Sequence, residues 1–151
     1  VSKEIVTQIQ IDAPSHQVWQ TLTDFHAYQN WNPFMVDVKG AAQLHENVTI
    51  SVAFKDSQRM QFKTKICEFE SAKSLCWTSK FLIGGLFDSV HRFDISSTSS
   101  NQCLFVNQEA YSGILVGLSW KKIESGARAG FEAMNRALKY QVESQPLARA
   151  S

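Results

Sequence analysis

Apolar residues in the last third of the chain recur every three or four positions: Ile123, Ala127, Phe131, Met134 and Leu138. That spacing puts them on one stripe of a helix. Lys121, Lys122, Glu124, Arg128, Glu132, Arg136 and Lys139 fall mostly outside it. No proline interrupts the run before Pro146, so the pattern predicts one amphipathic helix over residues 120–143. At 1.5 Å per residue it would be roughly 35 Å long, enough to cross a small domain. Gly126 and Gly130 lie within it. Each costs about 1 kcal/mol relative to alanine in a helix interior, so each is expected to serve close packing or to leave room for a ligand.

Upstream the period changes from 3.6 to two. Ile5, Thr7, Ile9 and Ile11 share one parity and predict a first strand. Residues 12–15 then turn the chain, with Ser15 as an expected N-cap. Val18, Trp19, Leu22 and Phe25 give a first short helix, and residues 24–30 a second. Pro33 biases Asn32 away from helix and begins extended chain.

Five strands follow from alternation or short apolar runs: Phe34, Val36 and Val38; Val48, Ile50, Val52 and Phe54; Phe62, Thr64 and Ile66; Leu75 and Trp77; and residues 87–95. Residues 55–59 read as a polar turn. A last strand over 103–111 is expected to pair with 87–95 across a solvated loop at 96–102, which is rich in serine and threonine. The whole is α+β: seven strands in a curved antiparallel sheet, two short helices after the first strand, and a long C-terminal helix. A single domain is expected over 1–151, with its core at 3–143 and a frayed tail at 145–151.

The last two strands carry the polar residues of most interest. Phe87, Ser89, His91, Phe93 and Ile95 share one face, and Phe105, Asn107, Glu109 and Tyr111 share another. A hairpin turning near Ser99 sets His91 opposite Asn107 or Glu109. Both faces are expected to meet the helix. A buried Glu109 must then find a partner or have its pKa raised by desolvation, while a protonated His91 beside it would lower it.

Two stretches read as apolar loops, residues 81–87 and 113–118. Loops are usually polar, so these are expected to gate a cavity, to form a dimer surface, or to close one end of the core.

Composition narrows the class. The chain has 151 residues and a formal net charge of +1. It lacks the basic excess of a nucleic-acid binder, and no apolar stretch approaches a membrane span. Cys67, Cys76 and Cys103 match no metal-ligand spacing, and we expect them reduced and buried in a cytoplasmic protein. The opening residues are charged and alternating, so no signal peptide is expected; what precedes Val1 stays open. His16, His26, His45 and His91 are scattered, with no zinc, P-loop or nucleophile-elbow motif, so neither metal nor cofactor is expected.

Several motifs stand along the chain in a set order: Ile9-Gln10-Ile11-Asp12-Ala13-Pro14 followed by Val18-Trp19, then Trp31-Asn32-Pro33-Phe34. After them come Gly85-Leu86-Phe87-Asp88, His91-Arg92-Phe93, Glu109, Gly113 and Gly130-Phe131-Glu132-Ala133-Met134-Asn135. In these residues the sequence resembles the SRPBCC (START-like) superfamily, and looks most like its polyketide cyclase/dehydrase and lipid-transport subgroup, among small bacterial members. The resemblance implies a helix-grip fold, in which a curved sheet holds a long C-terminal helix around a deep cavity. Members bind lipids, plant hormones, polyketides or other hydrophobic molecules, and some cyclise or dehydrate polyketides. Fold alone does not choose among these.

The leading expectation is a small hydrophobic ligand held between sheet and helix. Its lining would be Phe54, Phe62, Trp77, Phe87, Ser89, His91, Phe93, Phe105, Asn107, Glu109, Tyr111, Gly130, Phe131 and Met134. The entrance would lie near 82–87 and 114–118. The alternative is a cyclase or dehydratase, with His91 or Glu109 as acid/base on an enolisable ketone and Tyr111 as donor. A third reading is an interaction module, or a homodimer, that uses the apolar loops.

Overall fold

Strand alternation and the late helical stripe both survive in the computed structural model, which describes residues 2–55, 58–80 and 83–146. Strand β1 (Ser2–Ile11) is followed by helix α1 (Ser15–Thr23), a 3₁₀ turn (Phe25–Ala27) and helix α2 (Tyr28–Trp31). Then come β2 (Met35–Lys39), β3 (Asn47–Val52), β4 (Met60–Glu70), β5 (Ser74–Lys80), β6 (Asp88–Ser99) and β7 (Gln102–Ser112). Helix α3 (Ile114–Glu143) closes the described chain.

The seven strands form one antiparallel sheet in the order β1-β7-β6-β5-β4-β3-β2. The first two strands in sequence are therefore its two edges. The chain between them must cross from one edge to the other, and α1, the 3₁₀ turn and α2 make that crossing, touching β6, β2 and α3 on the way. Register shifts at Met35/Asp37, Ile66/Glu68 and Ser97/Ser99 bend the strands, and the sheet curls into a half-barrel around α3.

Burial follows the expected parity on the strands that face α3. Ser89, His91, Phe93 and Ile95 are buried on β6, as are Cys103, Phe105, Asn107 and Tyr111 on β7. On α3 the buried stripe is Val116, Ala127, Phe131, Met134, Asn135, Leu138 and Val142. Ile123 is only partly buried.

Four local expectations are corrected. Helix α3 begins at Ile114, so residues 114–118 are its opening turns and not a loop. Gly113 precedes it with φ +118, where a Cβ would lie 2.4 Å from the Leu86 carbonyl oxygen. The first helical amides are tied by that same neighbouring turn: Ile114 N–H donates to Gly85 O at 3.2 Å and Leu115 N–H to Leu86 O at 3.0 Å. Second, Ser15 is the first residue of α1 and not its cap; Pro14 holds the cap position without a side-chain bond. Third, β6 and β7 run on through most of 96–102, leaving a tight turn at Ser100 and Asn101. Fourth, the bulge in β2 breaks simple alternation, so Phe34, Met35 and Val38 are buried while Val36 is not.

Residues 56–57 of the expected polar turn, 81–82 of the first apolar loop, and 147–151 of the tail lie outside the described residues.

Candidate functional site

His91 occupies the middle of β6, directly opposite Glu109 on β7. Its ring is enclosed by aromatic neighbours: Phe93 at 4.5 Å between centroids, Phe131 at 4.9 Å and Trp77 at 5.8 Å. Only 3% of its side chain is exposed. A ring so placed cannot turn to water for hydrogen bonds, so both nitrogens need protein partners. Nδ1 lies 3.4 Å from Glu109 Oε2, and Nε2 lies 2.7 Å from Asn107 Oδ1.

The polar contacts continue in both directions. Tyr111 donates its hydroxyl proton to Glu109 Oε2 at 2.6 Å. Asn107 Nδ2 donates to Asn135 Oδ1 at 2.9 Å, and Asn135 Nδ2 donates to Thr7 Oγ1 at 2.9 Å. Thr7 in turn donates to the Asn107 backbone carbonyl at 2.8 Å. One chain of side chains thus runs from Tyr111 through Glu109, His91, Asn107 and Asn135 to Thr7, joining β7, β6, α3 and β1.

Burial by itself would push the Glu109 carboxyl up. The His91 charge, together with hydrogen bonds from His91, Tyr111 and Ser89, outweighs it and holds the group below the usual carboxylate range. Tyr111 is pushed up, first by burial and then by the adjacent Glu109 charge, so it remains a neutral phenol. The expected His91–Glu109 couple is present, with the Glu109 carboxyl, its pKa lowered, 3.4 Å from His91 Nδ1.

Around this chain the sheet is lined with rings. Phe93 stacks on Phe105 at 5.9 Å with 12° between planes, and Trp77 meets Phe93 edge-on at 5.2 Å. Phe87, Tyr111 and Trp120 form a second group toward the start of α3. Met134 lies against Asn107, its sulfur 3.9 Å from Nδ2. Phe62, paired with Ile50 on β3, packs partly buried against the same core.

The two glycines do not leave open room. A Cβ on Gly130 would fall 2.1 Å from Cδ1 of Phe34, and one on Gly126 would touch Phe54 at 3.4 Å. Phe34 and Phe54 pack edge to face at 5.4 Å, and Phe34 does the same with Phe131 at 5.7 Å. The space expected for a ligand beside these glycines is filled by those rings. Two open grooves of about 220 and 670 Å³ lie elsewhere, and neither is lined by any residue of the expected set.

Sequence reasoning missed Asn135, Thr7 and Phe34 as members of this region. Asn135 carried a readable signal: Phe131, Asn135, Leu138 and Val142 continue the apolar stripe at spacings of four, three and four. A polar residue inside such a stripe must be satisfied by another buried polar group. Cys67 is exposed, contrary to expectation, while Cys76 and Cys103 are buried, and all three are free.

The chain belongs to the family described as polyketide cyclase/dehydrase and lipid transport, which matches residues 2–143. Its fold is the helix-grip, START-like fold. Similar solved structures include the ZhuI aromatase/cyclase from Streptomyces sp. R1128, 11% identical with a TM-score of 0.79, covering 95% of this chain and 94% of that one. A START superfamily protein from Mycobacterium smegmatis is 18% identical, with a TM-score of 0.75 over 93% of this chain and 97% of that one. Norcoclaurine synthase from Thalictrum flavum, in complex with dopamine and hydroxybenzaldehyde, is 12% identical, with a TM-score of 0.73 over 97% and 90% of the two chains. No curated protein matches the sequence. No helix among the described residues is long and apolar enough to cross a membrane.

Proposed function

We propose that the protein binds a small hydrophobic ligand, of lipid, polyketide or aromatic character, between the concave face of the sheet and α3. The observation that carries this reading is the composition of that face. Aromatic rings surround a single line of buried polar groups, which is how apolar pockets orient a ligand. Family membership supports the same class of role. Phe34 and Phe54 are the rings a ligand displaces, because they fill the space beside Gly130 and Gly126. The entrance lies beside the opening turns of α3, where Ile83, Ile114 and Leu118 are exposed. A cytoplasmic location accords with three free cysteines.

Native mass spectrometry of freshly purified protein tests the reading. A one-to-one adduct that is lost on collisional activation supports it. An unshifted mass after incubation with an extract of cellular lipids and aromatics counts against it.

A second reading is a cyclase or dehydratase. It is favoured by one observation, the ionised Glu109 facing His91 at 3.4 Å. Under that reading His91→Ala and Glu109→Gln each lower turnover by about a hundredfold or more, whereas a binding role loses only about 1–2 kcal/mol of affinity.

A further inference from the structure

The hydrogen-bond chain has a fixed direction, and its anchor is a backbone carbonyl. The Asn107 carbonyl can only accept, so the Thr7 hydroxyl proton is committed to it. Thr7 Oγ1 must then accept, and the group of Asn135 that faces it is the NH₂. Asn135 therefore turns its oxygen to Asn107, which presents its own NH₂ in reply. The Met134 sulfur beside that NH₂, itself only an acceptor, agrees with this orientation. Asn107 is left with its oxygen toward His91 Nε2, 2.7 Å away, so Nε2 must carry a proton. The other ring nitrogen, Nδ1, faces Glu109 Oε2 at 3.4 Å.

We propose that Thr7 and Asn135 are positioning residues that keep a proton on His91 Nε2 and leave Nδ1 as the nitrogen facing Glu109, and that Glu109, at the end of the chain, is a hydrogen-bond acceptor which takes ligands through a hydroxyl, phenol or enol group. Tyr111 and Ser89 do not change this, because their hydroxyl protons are already given to Glu109 and their oxygens offer lone pairs. Glu109 is also the end a ligand reaches: 14% of its side chain is exposed against 3% for His91. A ketone or carboxylate would meet only acceptors there. The tautomer follows from the hydrogen bonds alone, while the ligand class rests on the binding reading above.

Two measurements on the full chain separate these parts. Long-range ¹H–¹⁵N correlation of histidine-labelled protein reports the tautomer of the neutral His91 ring. The expected spectrum has a proton on Nε2, whether or not Nδ1 carries a second one. Thr7→Val leaves Asn135 free to rotate its amide and brings in the Nδ1–H form, while Thr7→Ser keeps the wild-type spectrum. A neutral wild-type ring with its proton on Nδ1 overturns the proposal even if no variant folds, and an unchanged Thr7→Val spectrum overturns the positioning role. Binding of 2-naphthol, 2-methoxynaphthalene and 2-acetonaphthone tests the ligand class. The naphthol is expected to bind about tenfold or more tightly than the other two. Equal or tighter binding of the ether or ketone overturns the acceptor assignment. If none of the three binds, the binding reading fails, and the spectrum still decides the tautomer.

Discussion

The ring of Phe34 occupies the position where any larger residue at 130 would place its side chain. Its Cδ1 is 2.1 Å from the Cβ that Gly130 lacks. Glycine at 130 is thus a packing requirement between Phe34, at the end of the crossing segment, and α3.

The two helix glycines should therefore behave differently. Gly130→Leu is expected to destabilise by about 1–3 kcal/mol or more, because Phe34 must leave its site. Gly126→Ala meets Phe54 at an ordinary 3.4 Å and replaces a poor helix former, a gain of up to about 1 kcal/mol. Thermal unfolding of the two variants checks the contrast.

Removing the ring should open the space that the glycine only borders. Phe34→Ala is expected to cost about 3–5 kcal/mol of stability, the usual range for a buried phenylalanine. It should also increase the uptake of an apolar fluorescent dye relative to wild type. Dye titration, with urea unfolding in parallel, measures both.

Much of this arrangement was legible in the sequence. Strand parity placed Ser89, His91, Phe93, Asn107, Glu109 and Tyr111 on one face, because a period of two tolerates errors at strand ends. The start of α3 was not legible. Its first amides bond to the carbonyls of Gly85 and Leu86, and no capping side chain marks the spot. Nor could the contact of Phe34 with Gly130 be read, since it depends on how the crossing segment closes over the sheet. Asn135 was legible in principle, because it stands within the apolar stripe of α3 between Phe131 and Leu138.

Gly113 gives a direct test of the missed cap. Gly113→Ala forces a Cβ against Leu86 at φ +118, so the turn and the helix start cannot both keep their geometry. Faster amide exchange at Ile114 and Leu115 is expected, with a loss of stability exceeding about 1 kcal/mol.

Glu109 should leave a mark on acid stability. Its folded pKa is depressed below 4.5, so the unfolded chain binds its proton first as pH falls. The stability it contributes is complete above 4.5 and is lost as pH drops through the folded value. Wild type should therefore lose stability more steeply than Glu109→Gln between about pH 5 and about pH 3. Parallel slopes in urea unfolding across that range would argue against an ionised, partnered Glu109.

The central claim is that a hydrophobic ligand enters between the sheet and α3, and chemical-shift mapping tests it most directly. During titration with 2-naphthol, the account predicts saturable one-to-one shifts of the Met134 methyl and of the Phe93, Phe105 and Trp77 ring signals. Signals of Val90, which is exposed, should stay fixed. Shifts confined to exposed Ile83, Ile114 and Leu118, with the interior signals unmoved, would contradict it and favour a surface interaction role instead.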